Sequence, residues 1–136
     1  MAVISELIRV ESDGAISFGD YTLGAKAKQT FQYEGVSYKV KTYKDITKLE
    51  CNGVFVYESV PGTAVTGFAK ADNKVTFQVE GLEDAQITLE LEPETEYEIT
   101  INGETAGAMK TNLGGKLSMS VELAENVEVL ITVEKR

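Results

Sequence analysis

An all-β, antiparallel β-sandwich follows from three properties of this 136-residue chain. Apolar and polar residues alternate over long stretches, most clearly in residues 87–101, which is the period of a strand with one buried face. Turn-forming pairs such as Asn52-Gly53, Pro61-Gly62, Asn102-Gly103 and Gly114-Gly115 punctuate the chain at nearly even spacing, as sandwiches and barrels require. No long segment carries a helical period. About eleven short strands result, in an immunoglobulin-like or jelly-roll-like arrangement.

Residues 7–11 form the first strand, and Ser12-Asp13-Gly14 turns it back into 15–19, Gly14 supplying the positive φ of the hairpin. Residues 2–10 have a short helix as their alternative. Residues 24–29, Gly-Ala-Lys-Ala-Lys-Gln, form a polar connection. Strand 30–33 then bends at Glu34-Gly35 into 36–43, where Val36, Tyr38, Val40 and Thr42 share one face and Lys39, Lys41 and Tyr43 the other. Asn52-Gly53, between 46–51 and 54–59, is the strongest hairpin signal, because a type I′ turn needs positive φ at both central positions. Pro61-Gly62 separates that hairpin from 64–69, and Asp72-Asn73 joins 64–69 to 75–80, where Val75, Phe77 and Val79 alternate. In 87–101, Ile87, Leu89, Leu91, Tyr97, Ile99 and Ile101 lie on one side, and Glu90, Glu92, Glu94, Glu96 and Glu98 on the other. Strands 116–123 and 127–134, joined at Glu125-Asn126, are expected to pair as a closing hairpin.

Residues 1–136 make one domain, or two small subdomains sharing a core, with a weak composition boundary near 61–81. A chain of this length buries roughly two-thirds of its unfolded surface and needs no metal or disulfide staple. Cys51 is the only cysteine, so no intrachain disulfide or thiolate metal cluster forms and no oxidising compartment is required. Ser5, Glu6 and Arg9 interrupt the apolar start, unlike a signal peptide, and no stretch approaches the roughly 18 apolar residues of a membrane span. The expectation is a soluble, cytoplasmic protein with no membrane partner.

The net charge of −9 is unevenly spread: residues 1–70 hold eight basic and eight acidic side chains, residues 71–136 five and fourteen. Such an acidic half repels phosphate backbones, so no nucleic acid is expected as partner. Absent histidine removes imidazole-based triads and histidine zinc sites, and Cys51 has no imidazole to activate it. The glycines of 103–107 and 114–116 lack the spacing and strand-to-helix setting of a phosphate cradle, so no nucleotide cofactor is expected. Glu90, Glu92 and Glu94, about 6–7 Å apart along a strand, suit paired-carboxylate chemistry in separation, yet an open face gives neither the burial nor the close like charge that raises a catalytic pKa. With Glu83 or Asp84 they offer oxygens to calcium, but no Asp-x-Asp-x-Asp-Gly spacing is present. No metal and no cofactor are predicted.

The segment Leu91-Glu92-Pro93-Glu94-Thr95-Glu96-Tyr97 resembles the corner of fibronectin type III and related immunoglobulin-like sandwiches, a Leu-x-Pro-x-Thr-x-Tyr pattern. The resemblance implies that the Tyr97 hydroxyl ties back to upstream backbone. Residues 97–121, with Ile101-Asn102-Gly103 and then Thr111 and 115–120, are similar to small non-catalytic β-sandwich caps at the C-termini of some bacterial glycan enzymes. Across its length the chain resembles short bacterial all-β proteins to which the name endosialidase is sometimes attached. Sialidase sites clamp a carboxylate with several arginines, whereas this chain has only Arg9 and Arg136 and lacks a Ser-x-Asp-x-Gly-x-Thr-Trp box.

Three readings of function follow. The first is a non-catalytic structural or interaction protein that self-associates as a homo-oligomer, a basic face of Lys39, Lys41, Lys44 and Lys48 meeting an acidic face of Glu90, Glu92, Glu94, Glu96 and Glu98. The second is a glycan-binding module that stacks sugar rings on Tyr43 and Tyr57. The third is a histidine-free glycan hydrolase using Glu90, Glu92 or Glu94.

Overall fold

The computed structural model describes residues 3–4, 6–71 and 73–136. Those residues form thirteen strands and no helix, arranged as two antiparallel sheets. The first sheet has seven strands in the order β1 (Ile8–Val10), β2 (Ile16–Phe18), β7 (Ala64–Lys70), β8 (Lys74–Glu80), β13 (Val129–Lys135), β10 (Glu96–Ile101) and β11 (Glu104–Lys110). The second has six: β12 (Lys116–Val121), β9 (Ala85–Glu90), β6 (Val54–Val60), β5 (Ile46–Cys51), β4 (Val36–Tyr43) and β3 (Ala27–Tyr33). Among the described residues no helix is long and apolar enough to cross a membrane.

The alternating residues build the core. Val40, Leu49, Tyr57, Ile87, Leu89, Leu117 and Met119 from the six-stranded sheet pack against Phe18, Val65, Phe77, Ile99, Ile131 and Val133 from the seven-stranded one. At the centre the Tyr57 ring meets Phe18 edge-on at 5.2 Å and Phe77 at 5.7 Å, the arrangement that sets a positive ring edge on a negative face. Three hairpins turn where Glu34-Gly35, Asn52-Gly53 and Asn102-Gly103 place two successive residues at positive φ.

Several details depart from the pattern read in the sequence. The described residues hold thirteen strands where about eleven were expected: residues 87–101 supply two, β9 and β10, on opposite sheets either side of the corner, and β11 pairs with β10 although all seven of its residues are exposed. Between β9 and β10 the corner is held by the Glu92 amide, which donates to the Tyr97 hydroxyl at 3.2 Å, and by the Thr111 hydroxyl, which donates to the Glu92 carbonyl at 2.5 Å. β12 and β13 are not a hairpin. β12 pairs with β9 while β13 inserts between β8 and β10, so their apolar faces meet across the core instead of side by side. The polar connection of 24–29 ends at Gly-Ala-Lys, since β3 begins at Ala27. Over 2–10 a strand forms at Ile8–Val10, with Met1, Ala2 and Ser5 outside the described residues; Asp72 of the Asp72-Asn73 turn is outside them too.

A fully buried chain of hydroxyls anchors the crossover from β6 to β7. Thr47 Oγ1 accepts the Thr63 N–H at 3.0 Å and donates to the Thr63 carbonyl at 2.8 Å. Its one proton is thereby used, so Thr42, 2.8 Å away, must be the donor to it and in turn accepts the Asp20 N–H at 2.9 Å. The Tyr57 and Ser59 hydroxyls meet Thr63 Oγ1 at 2.8 and 2.7 Å. Gly62 donates to the Lys44 carbonyl at 3.0 Å, and a Cβ there would strike the Tyr43 carbonyl oxygen, which explains glycine at this point of the crossover.

Candidate functional site

The outer face of the six-stranded sheet carries a row of lysines. Val40 and Thr42 of β4, and Thr47 and Leu49 of β5, are buried, so the intervening Lys39, Lys41 and Lys48 point to solvent. The register sets Lys28 of β3 opposite Lys41 and Lys41 opposite Lys48, an unbroken cross-strand row of three ammonium groups. Lys39 lies beside it, opposite Glu50. Lys28, Lys39, Lys41, Lys48 and Glu50 enclose a shallow cup of about 60 Å³. The only ion pair within the cup joins Lys48 to Glu50 at 3.5 Å. Like charges directly opposite on paired strands repel, so this row lowers the stability of the sheet that bears it.

Lys44, expected on the same face, lies elsewhere. It sits in the β4–β5 turn at one end of the sandwich, beside a separate hollow lined by Tyr21, Asp45, Pro61, Leu82 and Glu83. Lys28 replaces it in the row. The sequence reading missed Lys28 because 24–29 looked like a connection; the signal was Ala-Lys-Gln-Thr-Phe, an alternation too polar to stand out from a loop.

The acidic row is divided between the two sheets. Glu90 shares the outer face of the six-stranded sheet, Glu92 and Glu94 occupy the corner, and Glu96 and Glu98 belong to β10 of the other sheet. Four of the five have cationic partners within the chain: Glu90 with Lys116 at 3.9 Å, Glu92 with Lys135 at 3.0 Å, and Glu96 and Glu98 each with Arg136 at 3.7 Å. The hydrogen bond to Glu92 raises the pKa of Lys135. No three His, Cys, Asp or Glu side chains among the described residues come together as a metal site.

A different acidic surface does exist, at the end of the sandwich formed by the β8–β9 and β12–β13 links. Asp84 accepts the Leu123 N–H at 3.2 Å, which ties the two links together. Glu83, Asp84, Glu122, Glu125 and Glu128 are exposed there, and none is in an ion pair among the described residues. Beneath them, burial followed by the charges of Glu80, Asp20 and Glu125 pushes the Tyr21 hydroxyl up to about 12.

The tyrosine platform does not form. Tyr57 is 0% exposed, its ring in the aromatic core and its hydroxyl on Thr63, because it stands between Leu49 and Leu89 in the core-facing row of the sheet. Burial raises its pKa above the ordinary tyrosine value. Tyr43 is half-buried, and the Lys26 ammonium lies 5.9 Å from its ring centroid, so one face of the ring is already covered. These features define a two-sheet antiparallel β-sandwich with a lysine row on one face and, at one end, carboxylates without ion pairs among the described residues. No known protein family, curated protein or solved structure matches the chain.

Proposed function

We propose that the protein is a non-catalytic interaction module that self-associates, the lysine cup of one copy receiving a carboxylate from the acidic end of the next. The observation that carries this reading is the Lys28–Lys41–Lys48 row, in which like charges cost the isolated chain stability and Glu50, paired with Lys48, and Glu58, opposite Lys48, offset only one end, so that an anionic partner relieves the rest. On a chain of net charge −9, another copy supplies such a partner through Glu83, Glu122, Glu125 and Glu128. The two surfaces differ, so the contact is heterologous and each associated pair keeps one free cup and one free acidic end. Opposite potentials steer the encounter and make it sensitive to salt.

Charge reversal tests the pairing. Lys41→Glu and the double change Glu125→Lys/Glu128→Lys should each leave the chain monomeric at low ionic strength. Mixed together, the two variants retain one intact basic cup and one intact acidic end, and should form a one-to-one dimer of twice the 14.8 kDa chain mass in sedimentation equilibrium. A mixture that stays monomeric, or single variants that associate like the unaltered chain, would refute the proposal.

A further inference from the structure

Between the sheets, at the end opposite the acidic links, lies a cavity of about 360 Å³. Two bulges shape it. On β6, Tyr57 stands opposite Leu49 and Phe55 opposite Glu50, which leaves Val56 as the extra residue. On β7, Thr66 stands opposite Gln78 and Ala69 opposite Thr76, so Gly67, at φ 70°, and Phe68 share one partner position. The amide freed at Gly67 donates to Ser17 Oγ at 3.1 Å, which stabilises the bulge. A bulge bends its strand and re-aims the side chain it carries, and here bulges in both sheets turn Val56 and Phe68 into the same space. Ile16 and Leu49 complete an apolar floor.

The rim is polar. Tyr38 and Cys51, cross-strand partners on the core-facing side of β4 and β5, border the cavity half-buried. Lys70 stands opposite Val75, a core residue 3% exposed, so it belongs to the core-facing row of β7 and overhangs the mouth. It has no ion pair among the described residues. Asp13, on the same rim, accepts the Ala15 N–H at 3.0 Å and closes its own hairpin turn. Among the described residues, Lys70 is therefore the one rim charge with no ion pair or hydrogen bond. The rim thus carries one lysine and one aspartate, the latter turned to its own hairpin, and a polar rim above an apolar, aromatic floor is the usual construction of a site for an amphipathic ligand.

We propose that this cavity binds a small organic anion, an aromatic or branched aliphatic carboxylate whose apolar body lies against Phe68 and Val56 and whose carboxylate meets Lys70. The volume equals on the order of a dozen water molecules at about 30 Å³ each, enough for one ring and a short chain. This site is separate from the lysine cup, which lies on the outer face of the six-stranded sheet.

Cys51, the only thiol in the chain, reports occupancy. Its alkylation by iodoacetamide is to be followed against increasing 3-phenylpropanoate, with 3-phenylpropan-1-ol as the neutral analogue. Saturable slowing by the acid is expected, with half-protection by the alcohol at about tenfold higher concentration, the ratio set by loss of one charge-assisted contact. Lys70→Met, on the rim and outside the core, should weaken the acid about tenfold and leave the alcohol unchanged. Val56→Trp, which fills the cavity, should abolish protection by both, its folding checked by an unchanged sheet circular dichroism signal. Alkylation indifferent to 3-phenylpropanoate, or protection that survives Lys70→Met undiminished, overturns the assignment.

Discussion

Thr47→Val tests whether the buried hydroxyl chain holds the two sheets in register. Valine keeps the shape and β-propensity of threonine, so the perturbation is the loss of one oxygen. That oxygen accepts from the Thr63 amide, donates to the Thr63 carbonyl and accepts from Thr42, all inside a region with no solvent exposure. Three buried polar groups lose a partner, each at about 1–3 kcal/mol, and partial relaxation leaves a net loss of about 3 kcal/mol or more. Against the roughly 5–15 kcal/mol stability of an ordinary domain this is a large fraction. With a urea dependence of about 2 kcal/mol per molar, the unfolding midpoint should fall by about 1.5 M. Thr132→Val is the matched control: Thr132 is half-exposed on the outer face of the seven-stranded sheet and touches the Thr76 hydroxyl at 3.4 Å, so its change should stay within about 0.5 kcal/mol. Equal midpoints for the two variants would refute the role given to the network.

Lys41→Gln relieves two cross-strand Lys–Lys repulsions and should raise stability by about 0.2–1 kcal/mol at low ionic strength, a gain that fades in about 1 M salt; a salt-independent loss measured by urea unfolding contradicts the repulsive row. The Ser17 hydroxyl, at 2.5 Å, and then Arg9 lower the pKa of Glu11 below its ordinary 4.5, so Glu11 contributes stability above that value and loses it as the pH falls through its depressed folded value. Glu11→Gln should accordingly unfold at lower urea than the unaltered chain at pH 7, with the gap closing in acid; a gap that widens in acid is the wrong sign. Tyr97→Phe removes the acceptor of the Glu92 amide and should cost about 1 kcal/mol in the same assay, with no loss at all counting against the corner hydrogen bond. Gly62→Ala should prevent normal folding, judged by soluble yield and circular dichroism, whereas Gly24→Ala, with nothing near its added carbon, should leave both unchanged.

Which residues face inward was legible from the chain; which strands stand side by side was not. Val75, Phe77 and Val79, or Leu117, Met119 and Val121, declare a buried face through their period of two, and each lies in the core. The same period is silent about neighbours, so two apolar rows that meet across the core, as those of β12 and β13 do, look identical to rows that meet within one sheet. Residues 87–101 held their alternation through Pro93 while the chain changed sheets, and a row of glutamates continuous in sequence became three separate surfaces. β11 has no apolar alternation because sheet pairing with β10, not burial, makes it a strand. Lys28 stayed hidden for a related reason: β3 is an edge strand whose polar residues resemble a loop, and only its register with β4 brings Lys28 to Lys41. The burial of Tyr57 is not legible locally, because a tyrosine is as acceptable in a wet half-buried site as in the core. Its hydroxyl partner, Thr63, lies beyond a turn that local sequence does not interpret.

The most direct measurement is the mass of the unaltered chain in solution by light scattering, over a range of protein concentration, at low and at high ionic strength. Association through the lysine cup predicts a weight-average mass that climbs above 14.8 kDa with concentration at low salt and returns to that value at high salt. A mass of 14.8 kDa in both buffers at every concentration, or an assembly untouched by salt, contradicts it.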